Sequence, residues 1–301
     1  MNIVPNCAGN TRSGIALKSL LTSAAMGVLF SAGSAWAAPI LGSDLASFAV
    51  LGAASASVTN VPTSTIGGNL GSAPSAAVGG GYVFSSGSLQ SNTALAQNAQ
   101  IQLDAAILAV NANGPGTLIT GGDLDAWQSS HGGFIIPGTY TVPFATTNLV
   151  GNLFLDGNGS NTAVWNFLLT SSLITSSTSN VTVQNVGDGS GVGLYWTVAS
   201  AATLNGPTFA GNVLANSFIS SDGDLTITCG RLLSAESQVT LISDKVSITG
   251  CAGSSGGFDQ GGSIGSGGQT VPEPSTLALL GLGFAVLGFA RRSRSRSRSR
   301  S

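Results

Sequence analysis

The stretch that most limits what this chain can become runs from Thr139 to Thr249, where short strand-like runs follow one another with few charges among them. Asn180–Val186 sets Val181 and Val183 on one face and Thr182 and Gln184 on the other, the two-residue period of a half-buried strand. Val239–Leu241 and Val246–Ile248 repeat the pattern. Between the runs stand Asp156–Gly159, Asp188–Gly191, Asn205–Pro207 and Asp222–Asp224, residue types that supply the kinked or positive-φ positions of corners. Many short strands with such corners predict a coiled or layered all-β body.

Charge decides what that body can meet. Only 7% of residues are charged while 43% are hydrophobic, the opposite of a disordered composition. Eight of the ten basic residues lie in the terminal segments, so Ala38–Ala290 keeps only Arg231 and Lys245 against all 12 acids. An acidic body of this kind is a poor binder of nucleic acid, and no nucleic-acid partner is expected.

The first 37 residues have the layout of a secretory signal. Arg12 and Lys18 precede the apolar run Leu20–Phe30, and Ala35-Trp36-Ala37 offers a small-residue cleavage site at Ala35 and Ala37. Removal of residues 1–37 takes Cys7 with it and leaves Cys229 and Cys251, which in an oxidising compartment are either a disulfide or two buried thiols. Residues 38–252 then form the body. Within it the period changes once: Asn92 opens a helix over about 92–110, with Leu95, Ala99, Leu103, Ala106 and Val110 on one stripe. That helix should lie along a flat partner, and Asn111–Gly116 should stop it. Residues 253–270 are Gly and Ser rich and predict a flexible linker. Residues 271–301 hold Val271-Pro272-Glu273-Pro274, the apolar run Leu277–Ala290 and a Ser/Arg tail.

The residues that catalysis or metal binding would need are scarce. The sole histidine, His131, sits in a glycine loop, and Asp123 and Asp125 stand beside glycines as turn formers. Asp156–Asn161 and Asp222–Asp224 faintly suggest calcium loops but lack the downstream glutamate, and they are taken as corners. A β-helical polysaccharide lyase would have only Arg231 and Lys245 as basic catalysts. The chain is expected to be no enzyme and to need no cofactor or metal. What remains is surface: Ser172 and Thr175, Thr203 and Asn205, Ser217 and Ser220, Thr226 and Thr228 are placed as outward, small and neutral. Stacked strands set such side chains about 4.8 Å apart across a sheet and about 6.8 Å along it, repeats at which a rigid wall can order water.

Several landmarks narrow this further. Phe48–Leu51, Gly67–Pro74, Pro137–Tyr140, Ala163–Phe167, Tyr195–Val198 and Gly230–Ser234 resemble, in order, those of the bacterial and fungal ice-binding family known as DUF3494. The resemblance covers about residues 41 to 250. It implies a mainly β fold, a right-handed discontinuous β-solenoid of triangular section with one long α-helix packed along its side. It also implies a core of Leu153, Leu155, Phe167, Val181, Val183, Phe218, Leu225, Ile227, Val239 and Leu241, and an ice crystal surface as partner of one flat face. Thr203, Asn205, Ser217, Ser220, Thr226 and Thr228 are the candidate ice-binding residues. The end of the chain resembles a PEP-CTERM sorting signal, carried by Pro272, Glu273 and Pro274. That resemblance implies a sorting protease as partner and transient inner-membrane anchoring, since 14 apolar residues are short for a permanent span of about 20. The expected protein is exported, secreted or held at the cell surface and outer envelope. The alternative function is a matrix or adhesion module binding exopolysaccharide, with Trp127, Trp165 and Trp196 as stacking platforms if exposed.

Overall fold

A computed structural model of the chain describes residues 39–59, 63–251 and 257–259. The leader with Ala35 and Ala37, and the sorting segment with Pro272, Glu273 and Pro274, lie outside the described residues. Among those described, the named strands pair in parallel throughout. Parallel neighbours need a crossover, so no strand pairs with the one that follows it through a tight turn.

Seven strands form one sheet in the order Thr146–Leu149, Ser172–Thr175, Ala202–Leu204, Ile219–Ser221, Gln238–Ile242, Ser55–Thr59 and Val78–Gly80. The other strands make a 14-stranded sheet that divides into two ladders. One, the open ladder, runs through Asn152–Asp156, Asn180–Gln184, the first residues of Thr208–Ala215 and of Thr226–Ser234, then Lys245–Ser247, Ser64–Gly67 and Tyr82–Ser86. The covered ladder runs through Thr117–Leu118, Gly138–Val142, Val164–Leu169, Gly193–Val198, the later residues of the two long strands, Phe48–Gly52, Asn69–Ser72 and Leu89–Ser91.

The long strands belong to both ladders because they bend. Their register shifts between Phe209 and Gly211, where Gly211 has φ +91° and Cys229, next to its partner Gly230, has φ +69°. At this corner backbones touch: a Cβ on Gly230 would stand 2.1 Å from the carbonyl oxygen of Gly211. The chain visits the seven-strand sheet, the open ladder and the covered ladder in turn. Phe48–Gly52 breaks sequence order, lying between Thr226–Ser234 and Asn69–Ser72.

Inward residues fill the space between the sheets. Leu153, Leu155, Phe167, Val181, Leu225, Ile227, Val239 and Leu241 are all buried, and Val183 packs against them half-buried. Tyr140, Phe167 and Trp196 stack along the covered ladder at ring separations of 5.5 and 4.0 Å, because parallel register puts them in one row. Two expected orientations are reversed. Phe218 is 43% exposed, since Ile219 next to it is the inward residue, paired with Ala202. Thr175 is buried, and its Oγ1 accepts hydrogen bonds from the Asn205 and Gly206 N–H groups at 2.8 and 3.2 Å, so Ser172 and Ile174 are the outward pair of that strand.

Where helices lie on the covered ladder, outward residues such as Leu168, Leu214 and Leu233 are apolar. The short helix α1, Ser43–Ala46, buries Leu45 there. Helix α2, Ala94–Asn111, sets Ala96, Ala99, Leu103, Ala106 and Val110 against Phe48, Leu51, Leu168, Tyr195, Leu214 and Leu233. Three alanines in that stripe keep the helix backbone close to the sheet. The cap falls one residue later than expected: it is Thr93, accepting from the Ala96 N–H at 3.3 Å, while Asn92 takes φ +50°. Leu95 lies at the edge of the stripe, half-buried. At about 1.5 Å per residue, α2 carries the chain some ~27 Å back along the ladder, from Leu89–Ser91 toward Thr117–Leu118. A third helix, α3, Leu124–Ser130, stands where only turn formers were expected, because Asp123 caps it from the Ala126 N–H. The linker expectation also needs correction in part, since Gly257–Asp259 is packed into the body with Phe258 and Asp259 buried. Cys229 and Cys251 are joined in a disulfide with Cα atoms 5.0 Å apart.

Asp244 holds a corner from inside. It is fully buried, accepting from the Leu225 N–H (3.0 Å) on one oxygen and from Ile242 N–H (2.9 Å) and the Ser221 hydroxyl on the other. Burial raises its pKa above the ordinary 3.8 and outweighs these bonds. Two outcomes are expected. Gly230→Ala should lower stability by about 1–3 kcal/mol in denaturant unfolding, from forced overlap with the Gly211 backbone, while Gly79→Ala, with open space around its Cβ, should stay within about 0.5 kcal/mol of the parent. Because the folded pKa of Asp244 is raised, the folded state holds its proton more tightly than the unfolded one, so stability falls as pH rises from about 4 through the raised value. In unfolding measured across that range, Asp244→Asn should be less stable than the parent, with the gap narrowing as pH rises.

Candidate functional site

Parallel register turns alternation along each strand into rows across the sheet. On the seven-strand sheet the central outward row is Asn148, Ile174, Thr203, Ser220 and Thr240, continued in register by Ser57 and Gly79. Beside it Thr146 pairs with Ser172 and Ser55 with Gln238. Their neighbours along each strand, such as Thr147, Leu173, Ala202, Leu204, Ile219, Val239 and Leu241, are buried and hold the sheet down. None of the seven strands contains Asp, Glu, Lys or Arg. Rows lie about 4.8 Å apart across the strands and about 6.8 Å along them.

The open ladder is polar in another way. Asn152, Asn180 and Thr208 form a hydrogen-bonded row, with Asn180 Nδ2 donating to Asn152 Oδ1 and Thr208 Oγ1 to Asn180 Oδ1, both at 2.8 Å. Lys245 stands exposed opposite Thr226, and Asp156 accepts from Gln184 and Asn185. Hydrogen bonds from the Asn158 N–H and these amides hold the Asp156 pKa below the usual carboxylate value, so this surface carries fixed charge of both signs. On the covered ladder α1 and α2 occupy much of the outer face.

The six candidate residues fall on both surfaces. Thr203 and Ser220 are register partners at the centre of the seven-strand sheet. Asn205 lies at its margin, its N–H given to Thr175. Ser217 is in the turn before Ile219–Ser221, its carbonyl accepting from the Ser234 hydroxyl at 2.8 Å. Thr226 and Thr228 belong to the open ladder, opposite Lys245 and Ser247. Asn148, Ile174 and Thr240 join the row without having been singled out. Their common signal is a strand free of charge, but which strands are neighbours is set by non-sequential pairing.

The residues weighed for chemistry make structural contacts. His131 ends α3 and stacks on Trp127 at 3.9 Å, and Asp125 accepts from the Val150 N–H at 2.9 Å. Among the described residues no group of three or more His, Cys, Asp or Glu is placed to hold a metal ion. Trp165 and Trp196 are fully buried, giving their indole N–H groups to the carbonyls of Ile135 and Ala210. Trp127 is half-buried with a ring face under His131.

With this geometry in hand, comparison with known proteins is direct. A family model described as Ice-binding-like matches residues 52–247, and one for the PEP-CTERM protein-sorting motif matches residues 270–295. An ice-binding protein of Nostoc sp. (strain HG1) is 33% identical over 249 residues, 81% of this chain and 84% of the relative. Among solved structures, an ice-binding protein from an Antarctic biological consortium is similar with a TM-score of 0.59 at 25% identity, over 69% of this chain and 90% of that one. An ice-binding protein of the Antarctic ascomycete Antarctomyces psychrotrophicus is similar with a TM-score of 0.59 at 26% identity, over 69% and 98% of the two chains. A mainly β body of parallel sheets, an uncharged sheet and these relatives agree, and the chain belongs to the ice-binding-like family, with a PEP-CTERM protein-sorting motif at its C-terminus.

Proposed function

We propose that this protein adsorbs to ice through the seven-strand sheet and performs no covalent chemistry. The observation that carries the reading is seven adjacent parallel strands without a charged residue, whose outward side chains are mainly hydroxyls, amides and small apolar groups. A charge imposes its own hydration shell on nearby water. Neutral hydroxyls and methyls on a stiff backbone leave that water free to take lattice positions, and ordered first-layer water costs little to hold. The open ladder fits less well because Lys245 and Asp156 stand on it. The sheet and two ladders are read as the walls of a right-handed solenoid of triangular section, stiffened on one side by α2.

Around this body we place export by the N-terminal leader, and retention at the cell surface after a sorting protease acts on the C-terminal segment, which anchors transiently in the inner membrane. The sorting-motif match supports export and surface sorting. The exopolysaccharide alternative loses support, since Trp165 and Trp196 are buried and Trp127 is covered by His131.

The test is steric. Thr203→Tyr and Ser220→Tyr should each cut thermal hysteresis and ice-recrystallisation inhibition several-fold, because a bulky ring holds the sheet off the ice, while Thr182→Tyr on the open ladder should leave both near the parent value. Equal loss at Thr182, or none at Thr203 and Ser220, places the contact elsewhere.

A further inference from the structure

After its last strand, Lys245–Ser247, the chain is fastened to the body twice along one edge. Cys251 is bonded to Cys229, which sits at the bend between Thr228 on the open ladder and Gly230 on the covered ladder. Gly257–Asp259 is then gripped at the start of Gly193–Val198, the same kind of corner two strands along. The Phe258 carbonyl accepts from the Leu194 N–H and from Asn212 Nδ2, each at 3.0 Å, and its ring is buried in the core. Asp259 bridges Gly193 in antiparallel fashion and its carbonyl accepts from the Tyr195 hydroxyl at 2.7 Å. Its carboxylate faces the Arg231 guanidinium at 3.5 Å, with both side chains at most 5% exposed.

Arg231 completes the grip by donating to the Gly257 carbonyl at 3.0 Å, to Asn212 Oδ1 at 2.8 Å and to the Ala46 carbonyl of α1. A buried guanidinium needs partners for its donors and charge, and here Gly257–Asp259 supplies a carbonyl and the carboxylate. Gly257 suits the place as other residues do not: its φ is +78° and a Cβ would stand 2.5 Å from Arg231 Nη1.

The position of this edge matters. Since the chain passes from the seven-strand sheet to the open ladder, then to the covered ladder and back, the corner between the ladders is the one that does not border the seven-strand sheet. We propose that Gly257–Asp259 is a clamp that fixes the start of the C-terminal segment on that edge, so that a molecule held by its C-terminus presents the seven-strand sheet away from its attachment. The choice of working sheet rests on the ice reading, whereas the clamp does not.

Reach makes the proposal testable in the full chain. Ser263 is four residues beyond Asp259, at most about 14 Å of extended chain from the clamp. Freed back to Cys251, it spans twelve residues and reaches up to about 42 Å. A dye on Ser263→Cys, with Cys7→Ser, is paired with a quenching Thr203→Trp on the seven-strand sheet. The intact clamp should give no contact quenching beyond that of the Thr203 parent, and Gly257→Val, which lies outside the sheets, should raise it several-fold. Equal quenching with and without Gly257→Val overturns the proposal. Hydrogen exchange on the unsubstituted chain gives a check independent of any variant: the Leu194 amide should be strongly protected, and exchange at the rate of an open peptide rules out the clamp. Thermal hysteresis of the parent decides the ice reading separately, because its absence leaves both clamp readouts untouched.

Discussion

A strand of three to five residues has no stability of its own, and most strands of this chain are that short. Each is held by ladder hydrogen bonds to parallel neighbours, on both sides except at the sheet edges, and most also by inward apolar residues. Fold, rigidity and surface all follow from this dependence. Register between neighbours puts Tyr140, Phe167 and Trp196 in one inward stack, and the same register puts Thr203 beside Ser220 outside. The outward rows are thus set by the same register that orders the core.

The three surfaces handle the polarity of their outward positions differently. Under α2 the residues are large and apolar, because alanines on the helix bring two backbones close enough to exclude water. On the open ladder, amides satisfy one another across strands, as from Thr208 to Asn180 to Asn152, and charges are admitted. On the seven-strand sheet charges are absent from the strands, and neutral groups of limited reach face solvent, with a cross-strand bond from the Ser55 hydroxyl to Gln238 Oε1 at 3.5 Å.

Much of the architecture was legible before the structure. Alternation in Asn180–Gln184 and the apolar stripe of α2 are local patterns, and local patterns survive folding. The failures have a common origin. Phe218 was assigned inward and Thr175 outward because a strand of three or four residues shows too little alternation to fix its phase, which the neighbouring strand decides through pairs such as Ala202 with Ile219. Thr226 and Thr228 were grouped with Thr203 on composition, although a corner separates them, since the long strand carrying them pairs with Lys245–Ser247 on the other surface. The seven-strand row was invisible for the same reason: Thr240 lies beside Ser220, and Ser57 beside Thr240, only once the chain has wound past itself. Gly257–Asp259 escaped notice because three residues in a Gly/Ser-rich stretch carry no periodicity, and their partner Arg231 is remote in sequence.

The insertion of Phe48–Gly52 between Thr226–Ser234 and Asn69–Ser72 bears on the order in which the molecule can be made. Ala46 and Arg231, joined at that seam, are 185 residues apart in the chain. Closing a loop of that size delays contact formation, and folds rich in such contacts assemble slowly. A strand near the beginning therefore waits, without a partner on one side, until nearly the whole body is free to fold. For most of its synthesis the chain lacks the seam that completes its native body.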